Sequence, residues 1–237
     1  MALPAKANLP QNGSIVSRWY LGEASGVSRA DSVGSNTLTN NNTVTQGTGK
    51  FGVNDSVFNG SSQYLSRTNA SQTGLGVAGN FSMSCWVKFS SVSGTMTLLG
   101  KYLNTGNQRS YLWQVSAGSN QINMYTSSSG GTAPNLTVSW TPSTGTWYLL
   151  SVAYATSGNI AFYVNGVQQG STQTGGATSI FSSTADFQIG AWGGATDWIA
   201  GEMEDAIFWG GVTLSSGNMT SLYNAYSNNR SQFLAFM

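Results

Sequence analysis

Between Ala191 and Trp198 the sequence reads Ala-Trp-Gly-Gly-Ala-Thr-Asp-Trp, two indoles and one carboxylate on a glycine-rich loop. Such a loop can stack a sugar ring on Trp192 or Trp198 while Asp197 accepts the ring hydroxyls. The competing use, favoured by a total of 8 Trp, is that both indoles pack beneath the loop as core. A few residues on, Glu202-Met203-Glu204-Asp205 sets Glu202 and Glu204 on one face of an extended strand. Two carboxylates about 5–5.5 Å apart are what retaining glycoside hydrolysis uses. Beyond Asp205 the next residues, Ala206 and Ile207, are not acidic.

Other chemistries are removed by composition. There is no histidine and one cysteine, Cys85. Ser-His-Asp and Cys-His catalysis, His-based zinc sites and an internal disulfide are therefore excluded. Cys85 alternates with apolar neighbours and reads as a small buried hydrophobe. Charged residues are 7% of the chain and the formal net charge is +1, with no basic run. Nucleic acid, which is held by clustered Lys and Arg, is not an expected partner.

The elements that must position these residues are strands. Hydrophobic residues make up 40% and aromatics 12% of 237 residues, enough for a large core, while the polar surface is Ser, Thr, Asn, Gln and Gly. That surface favours strands and turns over helices. Residues 1–14, with Pro4, Pro10 and Gly13, read as an extended N-terminal arm, and Ile15 to Leu21 as a first strand. Residues 22–50 form a long polar loop. Phe81, Met83, Cys85, Val87 and Phe89 share one face, the period of a half-buried strand. Further strands are expected at 96–101, 111–116, 121–126, 135–140, 147–154, 160–164, 186–191 and 201–209. Asn165-Gly166 between two such runs predicts a two-residue hairpin. One helix is expected over 215–226, burying Leu214, Met219, Leu222, Tyr223 and Tyr226. An apolar tail, 227–237, ends in Phe233, Leu234, Phe236 and Met237. Together this predicts an all-β, two-sheet antiparallel jelly-roll sandwich over 15–226 with one short C-terminal helix.

Five segments in order resemble the laminin-G-like, concanavalin A-like lectin/glucanase superfamily. They are Ser17 to Gly26 with Asp31 to Asn36, Val57 to Leu65, Phe81 to Val87, Phe162 to Val167, and Gly201 to Phe208. The resemblance runs from about 15 to 226 and implies a concanavalin A-like sandwich that binds glycans or proteins. It also implies a structural calcium ion pinning the long loop to the last strand, through Glu23, Asp31, Asn36 and one of Glu204 or Asp205. Those residue types suit the six to eight oxygens calcium takes. Some enzymes of the superfamily carry an acidic triplet on one strand, which Glu202, Glu204 and Asp205 match only superficially.

A non-enzymatic role follows. The first expectation is a structural surface protein, most simply a bacteriophage decoration or fibre protein that contacts glycans. Its arm and tail would mediate self-association or contacts with other proteins of the assembly. The alternative is a free-standing, calcium-dependent carbohydrate-binding or adhesion module, and a glycoside hydrolase is the remote one. The first residues lack the apolar stretch of a secretory signal, and nothing approaches the roughly 18 apolar residues of a membrane span. The expected location is a virion or extracellular surface, with synthesis in the cytoplasm.

Overall fold

The computed structural model describes residues 3–194 and 196–234, with side chains through residue 227. In chain order its strands are β1 (Ile15–Trp19), β2 (Thr39–Asn41), β3 (Thr45–Thr48), β4 (Asn54–Asn59), β5 (Tyr64–Arg67), β6 (Phe81–Phe89), β7 (Thr95–Leu103) and β8 (Gln108–Ser116). There follow β9 (Gln121–Thr126), β10 (Asn135–Ser139), β11 (Trp147–Ala155), β12 (Asn159–Val164), β13 (Val167–Gln173), β14 (Phe187–Ile189) and β15 (Ala200–Gly210), then the helix α1 (Ser216–Leu234). The first sheet runs β13-β12-β11-β6-β15-β4-β3, with β1 also paired to β15; the second runs β10-β9-β8-β7-β14-β5-β2. Every pairing is antiparallel, as in the register Leu150↔Cys85 and Phe208↔Met83.

Alternation builds the core between the sheets. Phe81, Met83, Cys85, Val87 and Phe89 of β6 face Tyr111, Trp113 and Val115 of β8 and Ile122 and Met124 of β9 in one buried cluster. Phe81 stacks on Tyr154 at 4.9 Å and on Phe208 at 5.7 Å. The expected hairpin forms with φ of +52° at Asn165 and +78° at Gly166, the sign that a two-residue turn of this kind needs. Gly166 is required twice, because a Cβ there would stand 2.8 Å from Cβ of Tyr223 on the helix.

The expectation of a half-buried β6 is corrected. Its outward residues Ser82, Ser84 and Trp86 are buried as well. A second apolar cluster covers the outer face of the first sheet, joining Trp86, Ile207 and Trp209 to Met219, Leu222 and Tyr226 of α1 and to Leu9 and Phe51. The helix starts at a reciprocal cap: Ser215 Oγ accepts the Asn218 N–H at 3.2 Å and Asn218 Oδ1 accepts the Ser215 N–H at 3.2 Å. It reaches beyond the expected 226 to Leu234. Tyr223 is half-buried, while Leu214, Met219, Leu222 and Tyr226 are buried as expected. The apolar tail expectation concerns residues 235–237 and side chains from 228 onward, which lie outside the described residues.

The arm is also different from its expectation. It turns twice, at Lys6–Asn8 and Asn12–Ser14, and is strapped to its own domain. Leu9 is buried, Trp209 Nε1 donates to the Pro10 carbonyl at 3.0 Å, and Arg18 donates to the Pro4 carbonyl at 2.8 Å. The long polar loop contains β2 and β3, whose Thr- and Asn-rich sequences give no apolar alternation to announce them.

Candidate functional site

Asp197 sets the geometry of the indole loop. Its Oδ2 accepts from Trp192 Nε1 at 2.8 Å and from Gln114 Nε2 at 2.9 Å, and its carbonyl accepts the Thr97 N–H at 2.8 Å. A φ of +51° turns the chain at this residue, a conformation that short polar side chains tolerate. The carboxylate is thereby occupied in holding Trp192. Half-buried Trp192 meets Tyr102 edge-on at 5.3 Å, and Tyr102 meets Tyr125 at 6.1 Å. The Arg109 guanidinium lies 6.0 Å from the Tyr102 ring centre. Trp198 is half-buried and its Nε1 has no hydrogen-bond partner among the described residues. Of the three residues singled out by sequence, Trp192 and Asp197 come into direct contact, Asp197 positioning the indole and the indole bracing Tyr102.

Tyr102 also walls a groove of about 290 Å³ with Leu103, Thr184, Asp186, Gln188 and Gly193. Gln188 Oε1 accepts the Gly194 N–H at 3.0 Å, which leaves its amide nitrogen to donate. Asp186 Oδ1 accepts the Asn69 N–H at 2.8 Å, which leaves Oδ2 to accept. An aromatic wall, one donor and one acceptor thus converge on the outer face of the second sheet. Sequence reasoning did not find Tyr102, Asp186 or Gln188. The available signal was that Gln188 lies between the inward Phe187 and Ile189 and must point outward.

The five oxygen-bearing residues expected around calcium do not form one donor set. Asp31 Oδ1 accepts the N–H groups of Arg18, Val33 and Gly34 and Oδ2 that of Asn36, at 2.9–3.1 Å. Burial pushes its carboxyl upward, but these backbone donors outweigh that and hold it below the usual range. Asn36 spans Ser17 Oγ and the Thr73 backbone. Glu23 accepts the Ala30 N–H at 2.6 Å and lies 3.7 Å from Arg29. Asp205, at a bulge with φ +50°, takes a bidentate pair from fully buried Arg18 at 2.7 and 2.6 Å and a third bond from Tyr226 at 2.7 Å. Among the described residues no three carboxylates or thiols gather where they could hold a metal ion. Asp31, Asn36 and Asp205 spend their oxygens on locking turns and on tying β1, β15 and α1 together. Glu23 Oε2 and Glu204 Oε1 have no hydrogen-bond partner among the described residues, but the five do not gather as one donor set, so they do not fit the ion.

Glu202 and Glu204 do share the outward face of β15, opposite Lys88 and Trp86. Glu202 pairs with Lys88 at 2.6 Å, and Lys88 lies 5.2 Å over the Trp147 ring. Glu204 is sealed: it has no exposure and accepts the Lys50 N–H at 2.8 Å. Burial is the main cause that raises its carboxyl to about 8. Asp55 of β4 completes an acidic group that sequence reasoning missed; it is fully buried and neither oxygen has a hydrogen-bond partner among the described residues. Burial first, then the Glu202 carboxyl beside it, lifts Asp55 to about 7. A carboxyl group with no exposure cannot reach a glycosidic bond, so Glu204 is no partner for Glu202 in hydrolysis.

Residues 58–216 match the sequence profile of the concanavalin A-like lectin/glucanases superfamily, in its laminin G branch. Comparison with curated proteins yields no match. Among solved structures, the fold is similar to domain 4 of AbnA, a GH43 extracellular arabinanase from Geobacillus stearothermophilus, in complex with arabinotriose. The TM-score is 0.63 at 21% identity, over 89% of this chain and 98% of that one. It is also similar to the botulinum neurotoxin serotype D ligand binding domain in complex with N-acetylneuraminic acid, with TM-score 0.66, 15% identity, and 92% and 52% of the two chains covered. The binding domain of botulinum neurotoxin DC in complex with rat synaptotagmin II gives 0.68 at 13%, covering 92% and 52%. The chain thus spans about half the length of the neurotoxin domains and nearly all of the arabinanase domain. At these identities the likeness concerns the fold. No helix among the described residues is long and apolar enough to cross a membrane. Two antiparallel sheets stacked as a lectin-like sandwich, together with a profile match over more than half the length, place the chain in the concanavalin A-like lectin/glucanases superfamily.

Proposed function

We propose that the chain is a non-catalytic glycan-binding protein whose site is the groove beside Tyr102 and Trp192. The carrying observation is the Asp197 bracket: it spends a carboxylate and Gln114 to hold Trp192 edge-on to Tyr102, the ring that walls the groove. A ring so fixed loses little entropy when a sugar stacks on it, while Gln188 Nε2 and Asp186 Oδ2 meet its hydroxyls. Support also comes from two proteins of similar fold, which carry arabinotriose and N-acetylneuraminic acid in their complexes. The test is a glycan array with the full chain, followed by calorimetry on the hits. Losing the stacking ring costs about 1.4 kcal/mol, so Tyr102→Ala is expected to weaken binding about tenfold, and Trp192→Ala, which removes the ring that braces Tyr102, to weaken it in the same direction. Binding that is unchanged in both variants, or absent from the unaltered chain, overturns the proposal.

A second reading places this site on the surface of an assembly, such as a virion, where the chain would serve as a decoration or fibre component. The 7% charged fraction supports it, since copies would pack with little repulsion. The arm is folded onto its own domain, so association would use other surfaces. Light scattering at micromolar concentration tests this; a monomer with no particle association refutes it.

A further inference from the structure

We propose a second saccharide site, on the first sheet, in the cavity of about 670 Å³ bounded by Leu3, Tyr20, Glu23, Val53 and Asn54 over a floor that includes Gly22 and Gly52. The volume lies in the roughly 300–1,000 Å³ range of ligand sites. Tyr20 is 41% exposed, the one aromatic among the markedly exposed large apolar residues that are described. Its ring is also backed. The Arg18 guanidinium lies 4.7 Å from its centre, and Arg18 is buried and fixed by Asp205 and the Pro4 carbonyl. One ring face is therefore supported by an immobile cation and the exposed side is left toward the cavity.

The remaining lining specifies the ligand. Glu23 Oε1 accepts the Ala30 N–H and Oε2 is buried near Arg29, and an oxygen with one donor, as Oε1 is, can accept a second. Asn54 is exposed at the start of β4 and brings an amide donor and acceptor. Leu3 and Val53 supply apolar walls. No cation lines the cavity among the described residues, and the two nearby guanidiniums are committed to internal bonds. An aromatic face, apolar walls, one carboxylate and one amide suit a neutral sugar ring, whose C–H face stacks while its hydroxyls donate to Glu23. They disfavour an anionic sugar. This site shares no residue and no strand with the Tyr102 groove, so one chain would hold two glycans and could bridge two strands of a glycan coat. The choice of sugar as ligand class rests on the glycan reading above.

The experiment is an amide-resolved NMR titration of the full chain with cellotriose, maltotriose and arabinotriose, and with N-acetylneuraminic acid as the anionic control. Saturating shifts are expected at Gly22, Gly52 and Asn54 with at least one neutral trisaccharide at millimolar concentration. They should persist in Trp192→Ala and in Tyr20→Phe, and weaken about tenfold or more in Tyr20→Ala. Tyr20 is half out of the protein, so its truncation leaves the core intact, and the rest of the amide spectrum checks that. No shift at these amides with any neutral probe, or loss of the shifts in Trp192→Ala, overturns the second site. Shifts confined to Gly193 and Tyr102 would do the same while leaving the first site standing, and shifts confined to Gly22 and Gly52 would do the reverse.

Discussion

Replacing Asp55 with Asn should stabilise this protein, and by an amount that grows with pH. The folded state lifts the Asp55 carboxyl from an ordinary 3.8 to about 7. Below pH 3.8 both folded and unfolded chains hold this proton and the residue has no pH-dependent effect. Between about 4 and 7 the unfolded chain releases the proton first, so stability falls as pH rises. Above that window the folded protein ionises too, and the penalty levels off. About three pH units correspond to about 4 kcal/mol at 1.4 kcal/mol per unit. Glu204, lifted from 4.5 to about 8, adds a cost of the same sign. The two acids influence each other, so their costs overlap and do not sum.

The Asn side chain keeps the shape of the protonated acid and removes its charge. Thermal melting at pH 4, 6 and 9 reads the effect. The variant should match the parent near pH 4 and melt higher at pH 9, by about 4–8 °C if half of the penalty is recovered and 1 kcal/mol is worth about 2–4 °C in a chain of this size. The parent should also melt lower at pH 9 than at pH 6. A gap between variant and parent that is the same at all three pH values would refute the reasoning, because an ionisation cost must follow the titration.

Asp31 has the opposite sign. Its folded carboxyl is held below 3.8 by four backbone donors, so its contribution is present above that value and lost as pH falls through the lower one. Asp31→Asn should therefore destabilise at pH 7 by about 1–3 kcal/mol, with the gap closing in acid melts. Arg18→Ala leaves Asp205 buried without its cation and is expected to cost about 3–5 kcal/mol in urea unfolding, with a companion Asp205→Asn recovering part of it. Removing metal should do nothing: melting with calcium and with a chelator should coincide, and a shift of several degrees would show an ion that the internal bonding of Asp31 and Asp205 leaves no room for.

Strand periodicity was legible wherever one face met the inter-sheet core. Phe81 to Phe89 and the Asn165-Gly166 hairpin stand where alternation and turn chemistry put them, because both signals are local. What was illegible depended on contacts distant in sequence. The outer face of β6 looks polar in sequence, since Ser82, Ser84 and Lys88 alternate with the core residues. It is buried because α1, which begins more than a hundred residues later, lies across Trp86. β2 and β3 carry no apolar alternation and exist through pairing with β5 and β4.

The candidate site divides in the same way, and the division explains why residue type misled. Trp192 and Asp197 were visible as a pair, but an oxygen-rich residue advertises its atoms and not its partners. Asp197 turned out to hold Trp192, Asp31 to hold a turn, and Asp205 to hold Arg18. In a chain with only 8 acidic residues, a carboxylate spent on satisfying buried donors is one fewer for a ligand, and the two needs compete directly. Free acceptors remain where one oxygen suffices for the internal bond, as at Asp186 and Glu23. Unlike the sealed Asp55 and Glu204, those two each stand beside an exposed or half-exposed tyrosine, where spare polar capacity can meet something outside the fold.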